Sequence, residues 1–123
     1  MQEGSAPTGG LRILLVDDEA LVRAGTAMML DELGHSVIEA SSGKSGLQIL
    51  VEDDAISVLM TDYNMPDMNG LEFIDHAKEI RSDLLAILMT GYSSEDTRFA
   101  SSDILRNKKP FGLDELERAL GEG

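Results

Sequence analysis

The chain has 123 residues, of which 42% are hydrophobic, so it can form one domain with a single buried core and is not disordered by composition. Its formal net charge of −13, from 23 acidic and 10 basic residues, excludes the broad basic face that nucleic-acid binding requires and favours a cation or a basic partner. The absence of cysteine excludes disulfide bonds and thiolate metal sites.

The first ten residues (MQEGSAPTGG) have the Gly, Ser, Pro and Thr content of a flexible linker. They lack the basic start and apolar centre of a signal peptide. No apolar run approaches the roughly 20 residues that span a bilayer. We therefore expect a linker at residues 1–10 and one domain at 11–121, located in the cytoplasm without direct membrane contact.

After the linker, five strand-like segments alternate with five helical ones. The strands are predicted at residues 11–16, 36–40, 56–60, 84–89 and, as a short segment, from 104 to 109. The helices are predicted at residues 19–33, 43–53, 71–80, 93–101, where the pattern is weak, and 113–120. This alternation predicts an α/β fold, in which a parallel sheet carries helices on both faces. The packed side of the second helix is expected to hold Leu47, Leu50 and Val51, and that of the third Leu71, Ile74, Ala77 and Lys78 or Ile80.

The polarity of the strands predicts their order in the sheet. Segments 11–16, 56–60 and 84–89 are apolar enough to be central, whereas 36–40 and the strand from 104 contain polar residues and should lie at the edges. A doubly wound, flavodoxin-like order of 2-1-3-4-5 satisfies this pattern. Sheets of this kind bind ligands beyond the carboxyl ends of their strands.

Five residues that can carry chemistry stand at predicted strand ends, namely Asp17, Asp18, Asp62, Thr90 and Lys109. They should therefore lie close together, beyond the carboxyl ends of the strands. Three neighbouring carboxylates repel one another, and Mg²⁺, which prefers oxygen ligands and keeps waters that a phosphate can replace, would resolve that repulsion. A carboxylate can attack phosphorus, while a lysine and a hydroxyl neutralise the oxygens of the phosphoryl group.

Four motifs at these positions, LLVDDE (14–19), TDYNMPDMNG (61–70), MTG (89–91) and KPF (109–111), resemble those of response-regulator receiver domains in two-component signalling. The resemblance implies that Asp62 is the phosphorylated aspartate and that Asp17 and Asp18 position Mg²⁺. It also implies that Asn64 offers its backbone carbonyl to the metal. The phosphoryl group would be held by Thr90 and by Lys109, for which Lys108 is the rival.

The resemblance further implies a phosphoryl donor, either a sensor histidine kinase or a histidine phosphotransfer protein. The domain would be no enzyme beyond its own phosphorylation and dephosphorylation, although the parent chain would be a histidine kinase if this is the receiver of a hybrid kinase. The oligomeric state is left open. Arg106 stands where such domains usually have a switch aromatic, so we expect output to run through residues 93–103 instead.

Other interpretations of the same residues stay open at this stage. Asp17 and Asp18 could form a helix N-cap. The chain could be a magnesium-dependent phosphohydrolase with an aspartyl-phosphate, or a receiver-like interaction module that is never phosphorylated. His35 and His76 have no ligands at metal spacing and are interpreted as structural or exposed. Neither a calcium loop nor a nucleotide-binding motif fits.

Overall fold

The structure is a computed structural model and describes residues 11–90 and 104–108. Its five parallel strands lie in the order β2-β1-β3-β4-β5. They are β1 (Arg12–Val16), β2 (Ser36–Ala40), β3 (Val58–Asp62), β4 (Leu85–Thr90) and β5 (Ile104–Lys108). The helices are α1 (Ala20–Glu32), α2 (Gly43–Glu52) and α3 (Gly70–Ile80). The predicted fold class and strand order are confirmed, while the predicted linker and the helices at 93–101 and 113–120 lie outside the described residues.

The sheet is covered on both faces, as predicted. Alternate side chains of a strand point to opposite faces, and two separate apolar clusters result. On one face Leu30 of α1 packs with Ile13 and Leu15 of β1. On the other face α2 and α3 contribute Leu50, Phe73, Ile74 and Ala77, which pack with Leu14, Val16, Leu59 and Leu88 of the strands. These buried clusters hold the strand ends at fixed positions.

Local sequence explains where the helices begin and end. Ser42 caps α2 by accepting a hydrogen bond from the N–H of Ser45, and Asn69 caps α3 in a reciprocal capping box with Glu72. After α1 the chain turns at Gly34, whose φ of 94° is a conformation that glycine adopts without strain. The two side-chain caps both lie at the carboxyl edge, by which we mean the edge formed by the carboxyl ends of the strands.

Three details of the sequence analysis were wrong. The third strand runs over Val58–Asp62 and not over 56–60, so Asp62 lies within it, although Ile56 is still buried. Val51 was expected on the packed side of α2 but is 66% exposed. Phe73, which the predicted register of the third helix omitted, is fully buried. In the described part of the chain, no helix has the length and apolar character needed to cross a membrane.

Candidate metal centre

The first acidic pair follows β1 directly. Asp17 is fully buried, and its own N–H donates to the carbonyl of Ala40 at 3.1 Å. Its carboxylate oxygen Oδ1 accepts the N–H of Glu19 at 3.0 Å. Asp18 is exposed to solvent. One carboxylate of the pair is therefore fixed by the fold, and the other faces the solvent side.

Neither carboxylate of the pair caps α1. The N-cap residue is Glu19, which makes no side-chain capping bond, and the first turn of the helix holds no acidic residue. The bond from the Glu19 N–H to Asp17 lies before the first turn of α1 and satisfies none of the N–H groups of that turn. The interpretation of the pair as a helix N-cap is therefore wrong.

Arg23 of α1 binds the acidic loop, by which we mean residues 17–19 between β1 and α1. Its Nη1 donates to the backbone carbonyl of Asp17 at 2.7 Å, and its Nε donates to Glu39 of β2 at 3.0 Å. The side chain is mostly buried, with 19% of its surface exposed. The guanidinium thus ties the residue after β1 to the neighbouring strand. Sequence reasoning missed Arg23, since no local pattern marks a side chain whose partners come from two other elements.

The third carboxylate ends the central strand β3. Asp62 is 8% exposed, and Thr61 donates its hydroxyl to the Asp62 carbonyl at 3.0 Å. Strands β1 and β3 are neighbours in a register that pairs Val16 with Thr61. The residue after each of these, Asp17 and Asp62, therefore stands at the same level of the sheet. This register explains why residues 45 positions apart meet, since adjacent parallel strands end together.

Asp17, Asp18 and Asp62 each offer one carboxylate oxygen, and the three oxygens lie within 4.8 Å of one another. Three anions this close repel one another and suit a hard cation with oxygen ligands. Because two of the carboxylates are buried and one is exposed, the cluster is rigid on one side and open to water on the other. The donor set therefore fits Mg²⁺, with room for the waters that this ion retains.

The loop from Tyr63 to Asn69 borders the cluster and is closed at both ends. The N–H of Tyr63 donates to Met89 of β4 at 3.2 Å, and the N–H of Gly70 donates back to the carbonyl of Tyr63 at 2.7 Å. Asn64 lies exposed in this loop, two residues after Asp62. Asn64 is thus close in the chain to one member of the cluster, and its role as a carbonyl ligand stays a prediction.

The same loop also bonds to α2 through Asp67, another residue that sequence reasoning missed. Its two carboxylate oxygens accept the N–H groups of Gly43 at 3.2 Å and Lys44 at 2.9 Å. The bond from Lys44 holds the pKa of the Asp67 carboxyl below its usual range, against the opposing effect of partial burial. Asp67 is therefore an ionised side chain that joins two loops of the carboxyl edge.

The remaining predicted site residues are only partly described. Thr90 is the last residue of β4, one position beyond Met89, which pairs with Asp62 in the register. Lys108 ends β5 and pairs with Thr90 of β4, and Arg106 of β5 pairs with Leu88 of β4. Lys109 and the predicted output segment at 93–103 lie outside the described residues. The structure brings three of the predicted site residues together and places Asn64 and the backbone of Thr90 at the same edge.

Comparison with known proteins gives a consistent result. The profile of the response regulator receiver domain family matches residues 13–120. A chemotaxis protein CheY homologue of Campylobacter jejuni is 38% identical over 74 residues, which are 59% of this chain and 55% of that protein. The chain thus spans about half the length of that relative. The response regulator receiver protein CpdR of Brucella abortus is 33% identical over 85% of this chain and 89% of its own length.

A solved structure extends the similarity to the backbone. The response regulator protein TrrA of Thermotoga maritima, crystallised with Mg²⁺ and BeF, superposes with a TM-score of 0.82 at 28% identity. The superposition covers 91% of this chain and 97% of that one. A similarity of this extent indicates the same fold.

Proposed function

The chain belongs to the response regulator receiver domain family, the phosphoacceptor units of two-component signalling, and from this premise we propose that Asp62 receives the phosphoryl group on Mg²⁺. Asp17, Asp18 and Asp62, with the backbone carbonyl of Asn64, would hold the metal. The observation that carries the proposal is the set of three carboxylate oxygens within 4.8 Å of one another. In the Thermotoga maritima relative, the same fold was crystallised with Mg²⁺ and BeF.

The reaction is a transfer from a phosphohistidine of the donor. A carboxylate oxygen of Asp62 forms a bond to phosphorus while the phosphorus–nitrogen bond of the donor breaks, which leaves an aspartyl phosphate and a histidine. Bound Mg²⁺ supplies positive charge against the phosphoryl oxygens. The hydroxyl of Thr90 and the ammonium of Lys109 would bind the remaining oxygens.

The contribution of the fold is to fix the nucleophile. Asp62 is the last residue of a central strand; it pairs with Met89 of β4, and the preceding residue, Thr61, pairs with Val16 of β1. Asp62 is mostly buried, so a donor would reach its carboxylate through the small part that is exposed. Positioning of this kind supplies most of what phosphoryl transfer asks of a protein. The domain would thus catalyse only its own phosphorylation and dephosphorylation.

An exposed apolar strip on α1 supports a protein as the donor. Leu21 and Met28 are 89% and 69% exposed, and Gly25 between them has open space around it. The three lie on one helical face, and Leu21 stands in the first turn, beside the acidic loop. A histidine kinase or phosphotransfer protein that reaches Asp62 would cover this strip. Leu21→Glu should slow transfer from such a donor and leave phosphorylation by acetyl phosphate unchanged, whereas equal effects on both would contradict this surface.

The central experiment is phosphorylation with a small-molecule donor. We expect the wild type to form an adduct with acetyl phosphate or beryllofluoride in the presence of Mg²⁺, seen as a mass increase or as NMR shifts around Asp62. Asp62→Asn should form none, while Asp75→Asn, at an exposed position on α3, is the matched control and should behave as the wild type. A wild type without an adduct, or an Asp62→Asn variant with the same one, would contradict the assignment.

A further inference from the structure

We propose that Asp67 is a positioning residue for the metal centre, whose carboxylate holds the Asn64-bearing loop against the first turn of α2. The inference rests on the proposed function, since it assigns a role at that same site. It concerns how the metal-binding loop acquires its shape before any ion arrives. Asp67 is placed for this role by a polar contact, an apolar contact and the geometry of the loop.

The polar contact is seen when each N–H group at the start of α2 is assigned its hydrogen-bond acceptor. The first N–H groups of a helix have no partner within the helix. The Ser42 side chain accepts from Ser45 at 3.1 Å, and the Ser42 carbonyl accepts from Gly46 at 3.0 Å. Asp67 accepts from the two that remain, Gly43 and Lys44, at 3.2 and 2.9 Å. The acceptors for these two groups are thus supplied by a different loop, 23 and 24 residues away.

The apolar part is a close contact next to this bond. A Cβ added to Gly43 would stand 2.5 Å from Cγ of Met68 and 2.7 Å from its sulfur. The side chain of Met68 therefore lies directly on the backbone of Gly43, and it packs against the core cluster under α2 and α3. The residue next to Asp67 thus meets the same helix turn as Asp67 itself. The two contacts together fix both the distance and the orientation of the loop.

The geometric part concerns the residues between two fixed points. Asp62 is held in β3, and Asp67 is held on α2. Four residues connect them, including Asn64 and Pro66, whose ring fixes its own φ. A segment this short between two fixed ends has little conformational freedom, so the carbonyl of Asn64 is held in one place. Without Asp67 the only remaining contact of the loop with α2 described above would be the apolar one of Met68, and Asn64 would be held less firmly.

A simpler role for Asp67 is that of a helix cap alone. Both roles predict that loss of the carboxylate weakens α2 and lowers the stability of the domain. They differ in their effect on the metal, because a cap that only stabilises α2 does not change the affinity for Mg²⁺. Ser42 provides the matched control, since it caps the same helix turn and makes its capping bond within its own loop.

The test is a calorimetric Mg²⁺ titration of the wild type, Asp67→Ala and Ser42→Ala, with thermal unfolding of each. By analogy with other residues that orient metal ligands, we expect Asp67→Ala to weaken Mg²⁺ binding about tenfold and Ser42→Ala to change it by no more than about twofold. Both variants should lose thermal stability. In Asp67→Ala, hydrogen exchange at the amides of Gly43 and Lys44 should accelerate, which reports the broken bonds directly.

Asp67→Asn keeps the size of the side chain and one acceptor oxygen, so it should fold and show a smaller loss of Mg²⁺ affinity than Asp67→Ala. If Asp67→Ala does not fold, the Mg²⁺ affinity of Asp67→Asn provides the test. Equal Mg²⁺ affinities for Asp67→Asn and the wild type, or equal losses in Asp67→Ala and Ser42→Ala, would overturn the positioning role and leave the proposed function intact. A wild type that binds no Mg²⁺ would instead overturn both.

Discussion

The two ends of the parallel strands differ in how their charged residues are arranged. At the carboxyl edge Asp17, Asp18 and Asp62 bring three carboxylate oxygens within 4.8 Å of one another. At the opposite edge, formed by the amino ends of the strands and called the amino edge below, an acid is paired with a base. There Arg12 donates to Asp53 at 2.6 and 3.0 Å, and each partner shifts the pKa of the other, that of Asp53 downwards and that of Arg12 upwards.

The difference separates stability from function. Arg81 completes the amino edge by donating to the carbonyls of Leu50, Asp53 and Ile56, where α2 ends and the chain enters β3. These bonds satisfy backbone groups that the end of a helix leaves without partners. The carboxyl edge instead collects like charges that a cation would compensate. Variants at the amino edge should therefore change folding alone, and variants at the carboxyl edge should change metal binding as well.

The largest expected effect is at Gly70, where α3 begins against the site. A Cβ there would stand 2.5 Å from the carbonyl oxygen of Asp62 and 2.7 Å from Leu88. Gly70→Ala should destabilise the domain by about 2–3 kcal/mol, because the backbone of a central strand cannot move away. We also expect weaker Mg²⁺ binding, measured by calorimetry beside urea unfolding.

Gly25 of α1 is the control for this substitution. Nothing lies within 4 Å of a Cβ placed there, and the residue is in the middle of an exposed helix face. Gly25→Ala should therefore stabilise the domain by about 0.5–1 kcal/mol and leave Mg²⁺ binding unchanged. A destabilised Gly25→Ala, or a Gly70→Ala variant as stable as the wild type, would contradict the geometry.

The acidic residues of the carboxyl edge could be predicted because each is marked by a pattern in the neighbouring sequence. Each acidic residue follows an apolar run, and parallel strands bring their carboxyl ends to one edge, so Asp17 and Asp62 could be placed without coordinates. The contacts of Arg23, Asp67 and Arg81 could not be predicted in this way. Each has partners in other elements of the fold, and no local sequence pattern marks a charged side chain that has such partners.

Helix periodicity showed a similar limit. The spacing of apolar residues gave the direction of the packed face of α2, but not its width, so Val51 was placed inside although it is 66% exposed. In the same way an apolar run shows that a strand is buried but not where its ladder of hydrogen bonds begins. Ile56 is buried and apolar, yet β3 starts at Val58. Such boundaries depend on the neighbouring strand, which the local sequence does not contain.

Somewhat smaller effects are expected when one arginine at each edge, Arg81 at the amino edge and Arg23 at the carboxyl edge, is replaced by Met. Arg81→Met should cost about 2 kcal/mol in the free energy of unfolding, because three carbonyls lose a charged donor while the aliphatic part of the side chain is kept. Arg23→Met should cost about 1 kcal/mol, since it removes one bond to a carbonyl and a partly exposed ion pair with Glu39. Urea unfolding of both variants measures these costs.

Magnesium titration of the same two variants sharpens the comparison. Arg23 holds the carbonyl of Asp17, so Arg23→Met should weaken Mg²⁺ binding several-fold. Arg81 lies at the other end of the strands, and Arg81→Met should bind Mg²⁺ as the wild type does. If Arg81→Met loses as much Mg²⁺ affinity as Arg23→Met, the two edges are coupled, and the division between stability and function does not hold.

The smallest effect is also the most direct comparison, since it uses one substitution at both edges. In Mg²⁺-free buffer Asp18→Asn should stabilise the domain by a few tenths of a kcal/mol, because it removes one of three mutually repelling charges at an exposed position. Asp53→Asn should destabilise it, because Arg12 loses its partner. The gain from Asp18→Asn should shrink as salt screens the repulsion, and saturating Mg²⁺ should reverse it because the wild type then binds the ion more tightly.

The pH dependence of Asp53→Asn decides whether its cost is electrostatic. The pKa of Asp53 is lowered in the folded protein, chiefly by its hydrogen bond with Arg12, so the folded state favours the carboxylate. The stabilisation is therefore fully present above the ordinary carboxyl pKa of about 4 and is lost as the pH falls through the lowered value. Urea unfolding of the wild type and Asp53→Asn should differ at about pH 7 and converge once the pH has fallen below the lowered pKa of Asp53. A difference that persists in acid would show that Asp53 stabilises the amino edge through its shape, and the contrast between the two edges would then not be one of charge.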